Sequence, residues 1–142
     1  MTRALLIVVL VGLFSGCQAP LPEINYRGSL DGSVADVVAA GEAFVSAFSQ
    51  ESGFRVDSRM PSSGASKEVD RVDYHLRTDS TKRVWIYVTA YKKERMIAVT
   101  IGGDFSSAAA IDAAKVSEKI FARLFPGSTY SPFQRYQGLL GP

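Results

Sequence analysis

The sequence predicts an α+β domain, a four-stranded antiparallel meander sheet with two helices on one face, in the order α-β-β-β-β-α. Two stretches carry apolar residues at spacings of three and four, one near each end of the chain. Between them lie four stretches in which apolar and polar residues alternate with period two. The connections between these four are short, which favours antiparallel neighbours. Each helix has a single apolar stripe, so both are expected to cover the same face of the sheet.

The first helix is expected over Ser33 to Ser49. Val34, Val37, Val38, Gly41, Phe44, Val45 and Phe48 form its apolar face. Asp31 or Ser33 is placed to cap it, Asp36 suits its first turn, and Gly53 stops it. Phe54 to Met60 reads as a half-buried strand, with Phe54, Val56, Ser58 and Met60 set against Arg55, Asp57 and Arg59. A loop over Pro61 to Ser66 follows. In Val69 to Arg77, Val72, Tyr74 and Leu76 point one way, and Arg71, Asp73, His75 and Arg77 the other.

Thr78 to Thr81 is a turn by composition. Arg83 to Tyr91 is the strongest strand, dense in β-branched and aromatic residues. Val84, Ile86, Val88 and Ala90 share one face; Trp85, Tyr87, Thr89 and Tyr91 share the other. Lys92 to Arg95 makes a charged hairpin, and Met96 to Ile101 returns with Ile97, Val99 and Ile101 on one side. Gly102-Gly103-Asp104 ends that strand. Asp104 or Ser106 caps a second helix running to about Phe125, with Ala109, Ala113, Val116, Ile120 and Leu124 as its stripe and Phe121 beside it. Pro126-Gly127 closes it. Phe133, Tyr136, Leu139 and Leu140 suit a tail lying partly against the domain.

The beginning of the chain has a different character. Arg3 supplies a positive charge, and Ala4 to Phe14 is apolar apart from Gly12. That run is shorter than the roughly 20 residues a bilayer span needs. Ser15 and Gly16 then precede Cys17, the sole cysteine. This succession is that of a secretory signal. Leu13-Phe14-Ser15-Gly16-Cys17 resembles the lipobox of bacterial lipoproteins, with Phe14 where that family prefers Leu. The resemblance implies cleavage before Cys17 and lipid acylation of it, so the membrane is the first partner expected. Gln18, in place of an aspartate, is compatible with outer-membrane sorting and a domain facing the periplasm. The expected organisation is a signal peptide over 1–16, a lipid-anchored tether over 17–31 and a single α+β periplasmic domain over 32–142. In the tether, Pro20, Pro22 and Gly28 break periodicity, although Ile24 and Tyr26 have the alternation of a short edge strand.

Composition narrows the function. The formal charge of +2 gives no general footprint for nucleic acid, and neither does an envelope address. The sole cysteine excludes a disulfide within the chain. With one histidine, no metal site and no cofactor are expected. Asp73 and His75 share a strand face, which would let Asp73 orient the ring, but there is no Gly-x-Ser-x-Gly elbow and a solvated charged face explains them better. Gly102-Gly103-Asp104-Phe105 partly resembles the diguanylate cyclase signature. It lacks the acidic residue before Phe105, and two glycines leaving a strand account for it. Lys115, Lys119, Glu118 and Arg123 read as a solvated helix face.

What remains is an aromatic set, Trp85, Tyr87 and Tyr91, expected beside Arg71, His75 and Arg77 on the neighbouring strand. Tyr, Trp and Arg are enriched at interface hot spots. The sequence therefore points away from an enzyme and toward a lipid-anchored envelope protein that binds a protein or another envelope component, in an assembly or adaptor role. The alternative is a periplasmic inhibitor or immunity lipoprotein that neutralises a toxin or hydrolase.

Overall fold

The computed structural model describes residues 23–63, 68–78, 84–103 and 108–133. The elements run β1 (Glu23–Ser29), α1 (Val37–Ser52), β2 (Arg55–Ser63), β3 (Val69–Arg77), β4 (Val84–Tyr91), β5 (Met96–Gly103), α2 (Ala108–Leu124) and β6 (Thr129–Pro132). The class is α+β, as expected, but the sheet has six antiparallel strands, in the order β2-β3-β4-β5-β1-β6.

One of the two added strands, β1, corrects the reading of 17–31 as a tether throughout, and the other, β6, lies in the expected tail. Glu23–Ser29 is an interior strand between β5 and β6, with Tyr26 and Leu30 in the core. Gly28 looked like a break, yet it is a seat. A Cβ there would lie 2.1 Å from the Phe121 ring, so only glycine lets that ring settle on the strand. Residues 17–22 lie outside the described residues, as do Tyr136, Leu139 and Leu140 of the tail.

Period two in β3, β4 and β5 sets the core. Val72, Leu76, Ile86, Val88, Ala90, Ile97 and Ile101 are fully buried, and Val99 nearly so. Both helices cover this side. On α1, Val37, Ala40, Gly41, Phe44, Val45 and Phe48 face inward, and Gly41 brings the helix so close to β4 that a Cβ would meet that of Ala90 at 2.7 Å. Asp36, rather than Asp31 or Ser33, is the N-cap, accepting from Val38 N at 2.9 Å and Ala39 N at 3.1 Å. Asp31 instead accepts from Ser33, and those hydrogen bonds hold its carboxyl below the usual range. Gly53, at φ 75°, ends the helix in the left-handed conformation that glycine adopts freely.

The inward face of α2 is rotated from the expected stripe. Ala110, Ala113, Ala114, Ser117, Ile120 and Phe121 are buried, and Ala109, Val116 and Leu124 only flank them. Small side chains let this helix lie close over β5 and β6, and the Phe121 ring reaches Gly28 of β1. Phe121 then stacks on Tyr130 at 4.5 Å, and Tyr130 stacks on Tyr26 at 4.9 Å. The Tyr130 hydroxyl donates to Ser117 Oγ at 3.1 Å, and the Tyr26 hydroxyl to Glu118 at 2.9 Å. Burial, aided by the Glu118 carboxylate, pushes the Tyr26 phenol up to about 12. Glu118 is thus a tether to the sheet, and Lys119 and Arg123 pair with Glu51 on α1.

The β4–β5 turn also has a structural duty. Arg95 sits at φ 49°, an uncommon conformation for a residue with a Cβ. Its guanidinium donates to the carbonyls of Asp31 and Val34, each at 2.6 Å, and its own carbonyl accepts from Leu30 N at 2.8 Å. The turn therefore holds the connection between β1 and α1.

Strand β2 departs most from expectation. It is exposed along nearly all its length, with Val56 at 44% and Met60 at 54% exposure. A bulge between Val56 and Ser58 breaks the alternation. Beyond it the parity is inverted, so Arg59 faces the helices and pairs with Glu42 on α1, while Met60 turns to the other side.

Beneath that ion pair, the Tyr74 hydroxyl is buried and neither Arg59 nor Glu42 meets it with hydrogen-bond geometry; burial holds its pKa up. An unmet buried hydroxyl costs about 1–3 kcal/mol. Tyr74→Phe is therefore expected to stabilise the domain by about 1 kcal/mol in urea unfolding. A loss of that size would mean that the hydroxyl is satisfied in solution.

Candidate functional site

The side of the sheet turned away from the helices collects every residue of the expected binding face. Antiparallel register sets Arg71 opposite Tyr91, His75 opposite Tyr87 and Arg77 opposite Trp85. Three basic or imidazole side chains on β3 thus stand against three aromatics on β4. The His75 and Tyr87 rings stack at 4.5 Å and 13°, and Trp85 meets Tyr87 edge-on at 5.0 Å. Such pairs contribute about 0.5–1.5 kcal/mol beyond area burial. Tyr87 is nevertheless 43% exposed and the Arg77 side chain 64%.

Trp85 owes its position to a glycine on the next strand. Its ring lies on Gly102, where a Cβ would come within 2.1 Å of it. Gly102 remains within β5 and is buried, so it supports an aromatic side chain rather than ending the strand as expected. Asp104 and Phe105 lie outside the described residues. Gly102→Ala is expected to push the ring off the strand. It should red-shift emission from Trp85, the chain's only tryptophan, at a cost of about 1–3 kcal/mol. An unchanged spectrum would place the indole elsewhere.

Ion pairs fix the rest of the face. Asp73 accepts from Thr89 Oγ1 at 2.8 Å and pairs with Arg71 Nε at 3.0 Å. It does not orient His75, although the two share a strand face. The partner of His75 Nδ1 is Asp57 at 3.4 Å, which also meets Arg77 Nε at 3.2 Å. Asp57 is the residue that sequence reasoning missed. The β2 bulge places both Asp57 and Ser58 beside His75, and nothing in the alternation marks that extra residue. Farther along the sheet, Thr100 Oγ1 donates to Asn25 at 2.7 Å, and the Arg27 guanidinium lies 3.7 Å from the Phe133 ring centroid.

The groove at the start of α1 is a different setting. It encloses about 780 Å³ between that helix, the start of β3 and the β4–β5 turn. Two of its cations already have partners: Lys92 pairs with Glu68 at 3.3 Å, and Arg95 holds backbone carbonyls. Among the described residues no group of three or more His, Cys, Asp or Glu stands together as a metal site requires. Also among these residues, no helix is long and apolar enough to cross a membrane.

The arrangement is a two-layer α+β domain with one sheet face covered by both helices and one that, among the described residues, no helix covers. The crystal structure of the adenosylmethionine decarboxylase from Aquifex aeolicus superposes on it with a TM-score of 0.45 and 10% identity, over 87% of this chain and 98% of that one. At that distance the likeness carries no inference about activity. No family model matches the sequence, and comparison with curated proteins gives no match.

Proposed function

We propose that this chain is a lipid-anchored protein of the bacterial cell envelope, held at Cys17. Its α+β domain binds a protein or another envelope component through the open sheet face, in an assembly or adaptor role rather than a catalytic one. The outer membrane, with the domain in the periplasm, is the proposed location.

The observation that carries the binding reading is the cross-strand series Arg71–Tyr91, His75–Tyr87 and Arg77–Trp85. Aromatic and arginine side chains supply large contact area and directional donors with little rotamer entropy per contact, which is why they dominate interface energetics. This face sets two rings edge-to-face and leaves Tyr87 43% exposed.

A photo-reactive phenylalanine derivative at position 87 tests the reading. In intact cells it should give one discrete crosslinked species, absent when the probe replaces Ser46 on the exposed side of α1. The same adducts from both positions, or none from position 87, would defeat it.

A further inference from the structure

We propose that the end of the sheet where β1 begins faces the membrane, and that Trp85, Arg77 and Arg55 lie there against the headgroups of an anionic leaflet. This rests on the reading of Cys17 as the anchor.

Register places these residues in one row across the sheet. Glu23 stands opposite Gly102, Gly102 opposite Trp85, Trp85 opposite Arg77, and Arg77 opposite Arg55. Strands about 4.8 Å apart make that row roughly 20 Å wide. Among the described residues the row lies at the end where the chain arriving from Cys17 enters β1, with only the Val84–Gly103 pair of β4 and β5 beyond it in the register.

Only Gln18 to Pro22 separate Cys17 from Glu23. Even fully extended, at ~3.3–3.6 Å per residue, they reach about 20 Å. Some of that is spent crossing the headgroup layer, about 5–8 Å per leaflet. The opposite end of the sheet, with the Lys92–Arg95 turn, lies a further strand length away, also about 20 Å. A tether this short holds the Glu23 end nearer the anchor than the far end.

The chemistry of the row fits that place. Tryptophan favours the level of the headgroups, where its ring is half-solvated and its N–H finds a partner. Arginine matches phosphate oxygens with a planar fork of donors. Arg77 is 64% exposed even though its Nε meets Asp57, and the Trp85 ring is held flat on Gly102. Glu23 adds one negative charge at the tether's own corner, away from the arginine half of the row. This division of the open face leaves Tyr87, His75, Tyr91 and Arg71 farther from the bilayer, where a protein partner can reach them.

Cys17 is the only cysteine and Trp85 the only tryptophan, so the chain carries its own attachment point and reporter. The full chain is coupled through Cys17 to maleimide-headgroup lipid, in phosphatidylglycerol–phosphatidylcholine vesicles that also carry a headgroup spin label. Flotation verifies coupling. Trp85 emission should be quenched at least threefold more than emission from a Trp85→Phe, Lys93→Trp chain, whose reporter sits at the far end. Arg77→Glu should lower the Trp85 quenching about twofold. Equal quenching of the two reporters means that the domain lies flat, and stronger quenching at position 93 means that it is inverted; either overturns the proposal. Because coupling imposes the attachment, this result stands apart from acylation in cells. Mass spectrometry of the cellular protein tests that separately, and an unmodified Cys17 would remove the anchor reading without altering the vesicle result.

Discussion

Ile86→Ala should destabilise the domain by about 2–5 kcal/mol, and Tyr87→Ala by roughly 1 kcal/mol, although the two residues are neighbours on β4. Ile86 is fully buried between β3 and β5 under the helices. Truncating it removes transfer free energy and leaves a cavity that a close-packed interior fills only partly. Tyr87 points to the open face at 43% exposure, and its truncation forfeits mainly the stacking on His75 and the edge contact with Trp85. Against a typical total of 5–15 kcal/mol, the first change takes a large fraction of the stability and the second little. Urea unfolding followed by circular dichroism measures both. On the binding reading, Tyr87→Ala should also weaken partner crosslinking from a probe at a neighbouring position on that face. Equal destabilisation by the two changes would make the aromatic face a second core.

This contrast was legible in the sequence because alternation is strict in β3, β4 and β5. Strand side chains have period two, so one register assigns a whole strand to its faces. The core set Val72, Leu76, Ile86, Val88, Ile97 and Ile101 follows from that rule. The rule fails where the backbone departs from regularity. At β2 one extra residue inverts the faces, turning Arg59 toward Glu42 and bringing Asp57 to His75. At β1 the signal is hidden for another reason: Gly28 offers no side chain, and the apolar group filling that place is Phe121, far away in sequence. At β6 Tyr130 and Pro132 share the helix side, but only Tyr130 packs against the core, too little to show a period.

The candidate site divides in the same way. Its residues could be assigned to one face from alternation alone, but their pairing could not. The connection between β3 and β4 is too long to fix a register, so nothing local says that His75 meets Tyr87 rather than Trp85 or Thr89. The seat of Trp85 on Gly102 is likewise a contact between strands. Composition reads that glycine as a stop, whereas here its missing Cβ makes room for the indole.

Cys17→Ala should release the protein from the membrane almost completely. On the proposed reading, acyl chains on Cys17 carry the attachment, each buried methylene contributing about 0.8 kcal/mol and two or more chains giving a stable hold. Among the described residues no helix can take over that task. The headgroup contacts inferred for Trp85, Arg77 and Arg55 are too few to hold the domain alone: each basic residue near an anionic surface adds only about 1 kcal/mol, and salt screens it. The substitution has a second consequence: on the same reading cleavage follows lipid modification of Cys17, so the variant should keep residues 1–16. Its apolar run, Ala4 to Phe14, is shorter than a bilayer span, so retention of the uncleaved form should be weak beside that of an acylated chain. Fractionation with a high-salt and carbonate wash, with chain length read by mass spectrometry, separates the cases. The wild-type chain should stay in the pellet and begin at Cys17, and the variant should move largely to the wash. A variant that resists both washes, or a wild-type chain that retains Met1 to Gly16, would show that the lipobox resemblance misleads.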